Sequence, residues 1–279
     1  MAIFSEEDQA PETERETPSV EPAEVVEEKP FLEHIEDLRW VVIKSLIAVV
    51  IGATVGCFQA RWIVHILRRP LDQALAARAV DPNRFLVTLG VTDPLNSMLE
   101  IGIFSGVLLV MPFILYFIAE FVLPALTQRE RRMIVPAFAI GGLLFISGVL
   151  FCYFMVLPQT IVFFLEFNEW FGWQASWTIQ NYIDFCLQML IAFGVSFELP
   201  LVVLILAKLG LVTQAFLREH RRHAIVLLLI FAACVTPTSD PYNLAMLFVP
   251  MYLLFELSTL AAGWVERREK EDALIERDY

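Results

Sequence analysis

The stretch YIDFCLQMLIAFGVSFELPLVVLILAK, residues 182–208, determines the class of fold. As an α-helix it would extend about 40 Å, at about 1.5 Å per residue, which exceeds the ~30 Å hydrocarbon thickness of a bilayer. Glu198 interrupts the apolar run, and Pro200 removes a backbone donor two residues later. We therefore predict a membrane-spanning helix that is kinked near Glu198.

The whole chain has the composition of a polytopic membrane protein. Of its 279 residues 57% are hydrophobic, and its mean hydropathy of +0.63 is too high for a soluble domain with an ordinary charged surface. A helix needs about 20 apolar residues to cross a bilayer. The candidates are residues 40–58, 101–123, 133–157, 182–208, 223–235 and 244–264. The predicted fold is therefore all-α with six transmembrane helices, of which the fifth is short.

The two ends of the chain are polar and are predicted to lie outside the bilayer. Residues 1–30 contain ten acidic and two basic residues among several prolines, so we predict a disordered acidic tail. This tail has neither the basic start nor the apolar run of a secretory signal. Residues 31–264 are predicted to form the membrane domain, and residues 265–279 a charged cytoplasmic tail.

The distribution of Lys and Arg predicts that both termini are cytoplasmic. In that orientation fifteen of the twenty basic residues lie inside, and the other five share the loop between the first two spans. Within that loop, residues 61–79 are predicted to form short helices on the membrane surface. The second outer loop, residues 158–181, carries three tryptophans and is predicted to rest on the outer interface as a lid.

Ionisable residues at membrane depth are costly and by default face a cavity or a partner. At 100° per residue, Asp184, Gln188 and Glu198 fall within about 80° of one another on one helix face. Glu198 is either a protonated or hydrogen-bonded packing residue, or a polar point on a concave face that receives a guest helix. We favour the second hypothesis, with all three residues on the docking face. Three charged residues nearer the span ends are predicted to reach the closer interface: Lys44, Glu120 and Glu256.

Two acidic sites are predicted on the cytoplasmic face. A helix that begins after Pro30 places Glu33, Glu36 and Asp37 on one side, at spacing i, i+3 and i+4. Glu130 is the only acid of a short basic loop after the second span, and an ion pair with a neighbouring arginine is its alternative role. Carboxylates bind guanidinium groups in planar, bidentate pairs, so this surface suits arginine side chains.

The chain carries no motif of a nucleotide-driven transporter or a hydrolase. The patterns GxxxxGK[ST], GxGxxG, HExxH and GxSxG are absent from the sequence. The four cysteines lie in or beside apolar segments and lack the spacing of metal ligands. We therefore predict no catalytic residue, no metal, no cofactor and no nucleic-acid partner.

Four motifs occur in order along the chain. They are HIEDLR at 34–39, MPFILYFIAEFVLPALTQRERRMIVP at 111–136, FGVSFELP at 193–200 and VTPTSDP at 235–241. On these motifs the chain, from about residue 31 to 264, resembles the TatC family, the signal-recognising subunits of the twin-arginine protein translocase. The resemblance implies a cupped, concave bundle in the bacterial cytoplasmic (inner) membrane, which exports folded proteins using the proton-motive force.

The resemblance also implies partners and residue roles. TatC proteins bind twin-arginine signal peptides on the cytoplasmic side, act with single-span TatA and TatB proteins, and self-associate in complexes of several receptors. Asp37 and Glu130 match the signal-binding acids, and Phe121 matches an aromatic residue close to them. The family usually has Glu in place of Asp37, so Glu36 is expected to share its role. The other matches are the intramembrane acid Glu198, the acid of the last outer turn Asp240, and the first-outer-loop proline Pro70.

The intramembrane acids alone also permit a different function. A proton-coupled secondary transporter would use Glu198 and Asp184 as a proton relay. No inverted repeats or paired broken helices are visible in the sequence, so we prefer the translocase receptor. A noncatalytic membrane scaffold is the third alternative.

Overall fold

The computed structural model describes residues 31–122, 128–208, 210–236 and 240–277. The predicted acidic tail, residues 1–30, lies outside the described residues. The elements are α1 (Phe31–Ala76), α2 (Pro82–Phe85), β1 (Leu86–Val87), α3 (Asp93–Val122), α4 (Gln128–Phe151), a π-helical turn (Cys152–Val156), α5 (Leu157–Trp170), β2 (Trp177–Thr178), α6 (Ile179–Ser196), α7 (Leu199–Lys208), α8 (Gln214–Glu219), α9 (Arg221–Val235) and α10 (Pro241–Arg277). The two short strands pair in parallel, with Leu86 opposite Trp177.

Five helical stretches within these ranges are long and apolar enough to cross a bilayer. They are Glu36–Ala76, Asp93–Val122, Pro136–Trp170, Ile179–Lys208 and Pro241–Trp264. The predicted fifth span is α9, which has 15 residues and a length of about 22 Å at about 1.5 Å per residue. The prediction of an all-α membrane fold with one short helix is thus confirmed.

The prediction of separate surface helices in the first outer segment is wrong, because residues 61–76 continue α1. Pro70 therefore lies inside a helix instead of a loop, and it has no N–H to donate to the carbonyl of Ile66. The Tyr153 hydroxyl donates to that carbonyl at 2.9 Å. Because a neighbouring phenol satisfies the backbone that the proline disturbs, α1 continues without a break.

The second outer loop is shorter than predicted, because residues 158–170 are helical and form most of α5. α4 and α5 join through the π-helical turn, in which the Leu157 N–H bonds to the Cys152 carbonyl. This five-residue spacing accommodates the backbone donor that Pro158 lacks. Trp170 is exposed at the end of α5, so only the short connection to β2 is left to act as a lid.

α1 and α3 pack with their backbones in direct contact. A Cβ atom on Gly52 would lie 2.9 Å from the Gly106 carbonyl oxygen, and one on Gly56 would lie 2.8 Å from the Gly102 carbonyl oxygen. No side chain larger than a hydrogen atom fits at these points. The stretches GATVG and GIFSG are Gly-x-x-x-Gly motifs, which are typical of close transmembrane helix contacts. These motifs are the sequence signal for the contact between α1 and α3.

α6 and α7 form the most enclosed of the five spans. In the most apolar stretch of this span half of the residues are buried, whereas in that of α1 only 17% are buried. α6 packs on both α3 and α4, and its side chains Cys186, Leu187 and Met189 are fully enclosed. Because α6 has neighbours on two sides, its few polar residues lie in different surroundings.

The glycine contact between α1 and α3 leads to the first testable prediction. A Cβ atom on Gly106 would overlap the backbone of α1 at Ala53. Gly106→Ala is therefore expected to push the helices apart and to lower the free energy of unfolding by about 1–3 kcal/mol. Thermal unfolding in detergent, followed by circular dichroism, measures this loss.

Gly142→Ala is the matched control for this substitution. Its added Cβ would meet only the Pro112 Cβ, at an ordinary distance of 3.9 Å. Alanine also favours a helix over glycine by up to about 1 kcal/mol, so this variant is expected to melt at or above the temperature of the parent chain. Equal melting temperatures for the two variants would contradict the direct backbone contact.

Candidate functional site

An ion pair joins α1 and α3 near the end of α3. The Lys44 Nζ lies 3.2 Å from one carboxylate oxygen of Glu120 and 3.4 Å from the other. The two side chains are 43% and 51% exposed. The structure adds this pairing to the prediction that both charges reach the interface, which stays a prediction. Because the glycine contact fixes the register of α1 on α3, the two charges lie at the same height and pair.

The predicted acids of α1 lie at the same end of this helix pair. Asp37 precedes Lys44 by seven residues on α1, which is about 10 Å of helical rise on nearly the same face. Phe121 directly follows Glu120 in the last turn of α3. Asp37 and Phe121 are half-buried, and Glu36 is exposed. The structure thus brings the start of α1 and the end of α3 together.

Glu130 lies in the first turn of α4, which begins at Gln128. Its backbone is described, but its side chain lies outside the described residues. Residues 123–127 separate α3 from α4, and an extended chain of this length spans at most about 22 Å. The first turn of α4 therefore stays near the end of α3, while the ion pair predicted for Glu130 stays a prediction.

The predicted kink near Glu198 is present as a break between α6 and α7. The Phe197 N–H still bonds to the Phe193 carbonyl at 3.0 Å, whereas the Glu198 N–H bonds three residues back, to Val195, at 3.1 Å. Pro200 lies in the first turn of α7, where its missing N–H has no helical partner to lose. The proline thus accounts for the place at which one helix ends and the next begins.

The carboxyl group of Glu198 is buried against α4. The residue is 6% exposed, and neither carboxylate oxygen has a hydrogen-bond partner among the described residues. A Cβ atom on Gly141 of α4 would lie 3.0 Å from the Glu198 Oε2, so the missing side chain of this glycine leaves room for the acid. By helical rise Glu198 lies about 15 Å from Lys208, which is membrane depth. A buried acid without a partner is costly there.

Glu198 is buried, whereas the two residues predicted to share its face are not. Gln188 is exposed, and Asp184 is half-buried beside Glu100 of α3. Gln180 donates to the same Glu100 carboxylate at 3.2 Å. A helical wheel assumes a constant turn of 100° per residue. The regular spacing ends at Glu198, whose N–H bonds three residues back, and the shared docking face of these three residues stays a prediction.

Asp240 directly precedes α10 and bonds to Asn243, which in turn contacts α5. Its carboxylate accepts from the Asn243 backbone N–H at 2.8 Å and from the Asn243 side-chain amide at 3.0 Å. The Thr160 hydroxyl of α5 donates to the Asn243 side-chain oxygen at 2.9 Å. Asn243 and Thr160 are completely buried. Asp240 is thus a helix-capping residue that organises a buried polar contact.

Glu256 forms a contact that sequence reasoning misses. Its carboxylate accepts from the Arg221 guanidinium at 2.8 Å and from the Tyr252 hydroxyl at 3.0 Å. The prediction that Glu256 reaches the interface stays a prediction, and the structure adds these two partners to it. Arg221 is the first residue of α9, so the pair closes one end of the hairpin formed by α9 and α10.

These features define the class of protein. The described chain is a multi-pass α-helical membrane protein, with an acidic and aromatic surface at one end of the α1–α3 pair. It also carries a buried acid at membrane depth.

Comparisons with known proteins place the chain within this class. Residues 33–250 match the family model of the Sec-independent protein translocase protein (TatC). The TatC protein of Koribacter versatilis is 33% identical over 270 residues, which cover 92% of this chain and 98% of that protein. The TatC protein of Akkermansia muciniphila is 38% identical over 186 residues, 65% of this chain and 53% of that protein.

A solved structure agrees with these sequence relatives. The crystal structure of the twin-arginine translocase receptor TatC matches with a TM-score of 0.71 and 32% identity, over 82% of this chain and 97% of that chain. The chain belongs to the TatC family of protein translocase subunits. The alternative of a proton-coupled secondary transporter has no support from these comparisons.

The ion pair of Lys44 and Glu120 is expected to contribute up to about 1 kcal/mol, because both side chains are half-exposed. Lys44→Glu should therefore destabilise the chain modestly, and combining it with Glu120→Lys should restore most of the loss. Thermal unfolding in nanodiscs at low and high salt measures both effects, since salt screens exposed charges. If the double variant shows the plain sum of the two single losses, the charges do not interact.

Proposed function

We propose that this chain is the core receptor subunit of the twin-arginine translocase and binds the twin-arginine signal peptides of folded cargo. The observation that carries the proposal is the ion pair of Lys44 and Glu120, which holds the start of α1 beside the end of α3. A peptide that approaches this end meets acidic and aromatic side chains together. The residues proposed to bind it are Asp37, Glu36, Glu130 and Phe121.

The chemistry of this surface fits two neighbouring arginines. Asp37 offers a carboxylate for one planar guanidinium group, and the exposed Glu36 beside it extends the reach of this shorter acid. Glu130 supplies the second carboxylate from the first turn of α4. Phe121 and its apolar neighbours take up the hydrophobic part of the signal peptide. Lysine is a poorer ligand here because it lacks the bidentate fork.

The proposed orientation places both termini and this surface in the cytoplasm, in the inner membrane of a bacterium. The excess of Lys and Arg on that side supports it. Three of the five arginines on the opposite side are paired with acids. These pairs are Arg68 with Asp72, Arg78 with Glu166 and Glu169, and Arg84 with Asp81. In this orientation residues 31–264 form the membrane domain, and α10 extends the charged C-terminal segment into the cytoplasm.

Glu198 is proposed to receive a partner. A single-span protein of the TatA or TatB type supplies a hydrogen-bond donor to the buried carboxyl that has none within the described chain. Several such receptors associate in the working complex. Transport is driven by the proton-motive force, with no nucleotide, cofactor or catalytic residue in this subunit.

Photocrosslinking of a twin-arginine signal peptide to the full chain in membranes tests the receptor proposal. Asp37→Ala and Glu130→Ala are each expected to reduce crosslinking roughly tenfold or more, because each removes a charge-assisted pair. A peptide with two lysines should crosslink weakly to the parent chain. Glu219→Ala, which removes an exposed acid of α8, is the control and should change nothing. Equal crosslinking of both peptides, unaffected by Asp37→Ala or Glu130→Ala, would refute the receptor proposal.

Substitution of Glu198 separates partner docking from packing. Glu198→Leu is expected to stabilise the isolated chain by about 1–3 kcal/mol, because it removes a buried polar group without a partner. It should also abolish copurification with a tagged TatA- or TatB-type protein. Glu198→Gln keeps a donor and an acceptor and should retain the partner.

The exposed Asn181 at the start of the same span provides the control for this experiment. Asn181→Leu should leave both the stability and the copurification close to those of the parent chain. Full retention of the partner by Glu198→Leu would assign Glu198 to packing alone.

A further inference from the structure

Arg69 differs from the neighbouring arginines in its surroundings. Three of the five arginines between residues 61 and 84 pair with acids, as described above. Arg69 is exposed, and no carboxylate among the described residues lies within ion-pair distance of it. A cation that is not neutralised by its own protein is available to an external anion.

Arg69 also lines a cavity of about 360 Å³ between α1 and the junction of α4 with α5. Gln73, one helical turn further along α1, lines the same cavity. The wall opposite is aromatic and apolar, formed by Tyr153, Phe154 and Pro158. The Tyr153 hydroxyl already donates to the Ile66 carbonyl, so the guanidinium and the amide are the donors left for a ligand.

The depth of Arg69 corresponds to the headgroup layer of the bilayer. It follows Lys44 by 25 residues on one helix, which is about 37 Å of helical rise against a hydrocarbon thickness of about 30 Å. With Lys44 at one interface, Arg69 therefore lies just beyond the hydrocarbon at the other. Soluble ions reach this layer, but lipid phosphates are concentrated in it.

An apolar track leads from the cavity toward the bilayer centre. Phe154 is 68% exposed, and Leu150 one turn before it is 49% exposed. On α1, Trp62 and Phe58 precede Arg69 by seven and eleven residues, so they lie on nearly the same helix face, and both are exposed. A ligand that fills this site has an anionic group at the cavity and hydrocarbon chains along the track.

We propose that Arg69 and Gln73 bind the phosphodiester of an anionic phospholipid, whose acyl chains lie over Phe154 and Leu150. The guanidinium pairs with the phosphate, and the amide donates a second hydrogen bond. The bound lipid fills the space between α1 and α5 and thereby fixes the outer end of α1 at the membrane surface. This site is separate from the signal-peptide surface, and the proposal stands independently of it.

Native mass spectrometry of the full chain, purified in detergent and titrated with lipid, tests the proposal. Phosphatidylglycerol is expected to bind in preference to phosphatidylcholine, and Arg69→Gln should weaken its binding roughly tenfold, because a charge-assisted contact is lost. Arg61→Gln is the matched control, since it removes an exposed arginine of the same helix that does not line the cavity. It should leave phosphatidylglycerol binding unchanged.

Three outcomes would overturn the assignment. Equal binding of the two lipids would show that the phosphate is not recognised through its charge. An equal loss in Arg61→Gln and Arg69→Gln would show a diffuse surface charge without a site. Displacement of the lipid by millimolar inorganic phosphate would show a free-anion site that does not use the acyl track.

A second substitution tests the apolar half of the site. Phe154→Ser keeps both polar donors and removes the wall of the track, so phosphatidylglycerol binding should fall severalfold. Thermal unfolding in detergent, followed by circular dichroism, serves as the folding control and should be the same for Arg69→Gln, Phe154→Ser and the parent chain. Unchanged lipid binding by Phe154→Ser would contradict the acyl-chain placement.

Discussion

Inside a bilayer every backbone N–H and C=O group must find its partner within the protein, and prolines in the spans test this constraint. At Pro70 a tyrosine hydroxyl replaces the missing donor, at Pro158 a π-helical turn shifts the pairing, and at Pro200 one helix ends and another begins. At each of these prolines the backbone hydrogen bonding departs from the regular α-helical pattern. Glu198 lies in the irregularity at Pro200, and the cavity of Arg69 lies between the other two. Two of the three proposed sites thus lie beside prolines that change the regular helical pairing.

The proposed receptor surface depends on packing that lies well away from it. Gly52 and Gly56 allow α1 to touch the backbone of α3, and this contact sets the height of Lys44 relative to Glu120. The two charges are 76 positions apart in the sequence, so no local sequence pattern reveals the pair. To predict this ion pair one must know how α1 is aligned along α3, and the Gly-x-x-x-Gly motifs are the sequence feature that indicates this alignment.

Hydropathy predicts the six spans because the centre of each is apolar over most of a bilayer thickness. It does not predict where the helices end, since residues 61–76 and 158–170 have the mixed polarity of an interface whether or not they are helical. The helical wheel has a related limit. It places Glu198 with Gln188 only while every residue turns by the same angle, and the Glu198 N–H already bonds three residues back. Local composition thus predicts the core of each helix, whereas its ends and breaks depend on neighbouring helices.

α1 is the least buried of the five spans, yet the proposed signal-peptide surface and the proposed lipid site both include residues of this helix. Its position is set at a few points, which are the glycine contact in the middle, the pair with Glu120 at one end, and bonds to α5 and α6 at the other. At this second end the Tyr182 hydroxyl of α6 donates to the Leu67 carbonyl at 2.7 Å. Arg78, two residues after α1, pairs with Glu169 of α5 at 3.2 Å. Because α1 is one continuous helix, these points fix the acidic surface and the Arg69 cavity relative to each other across the membrane. Exposed apolar faces between these points are left free to contact lipid and partner helices.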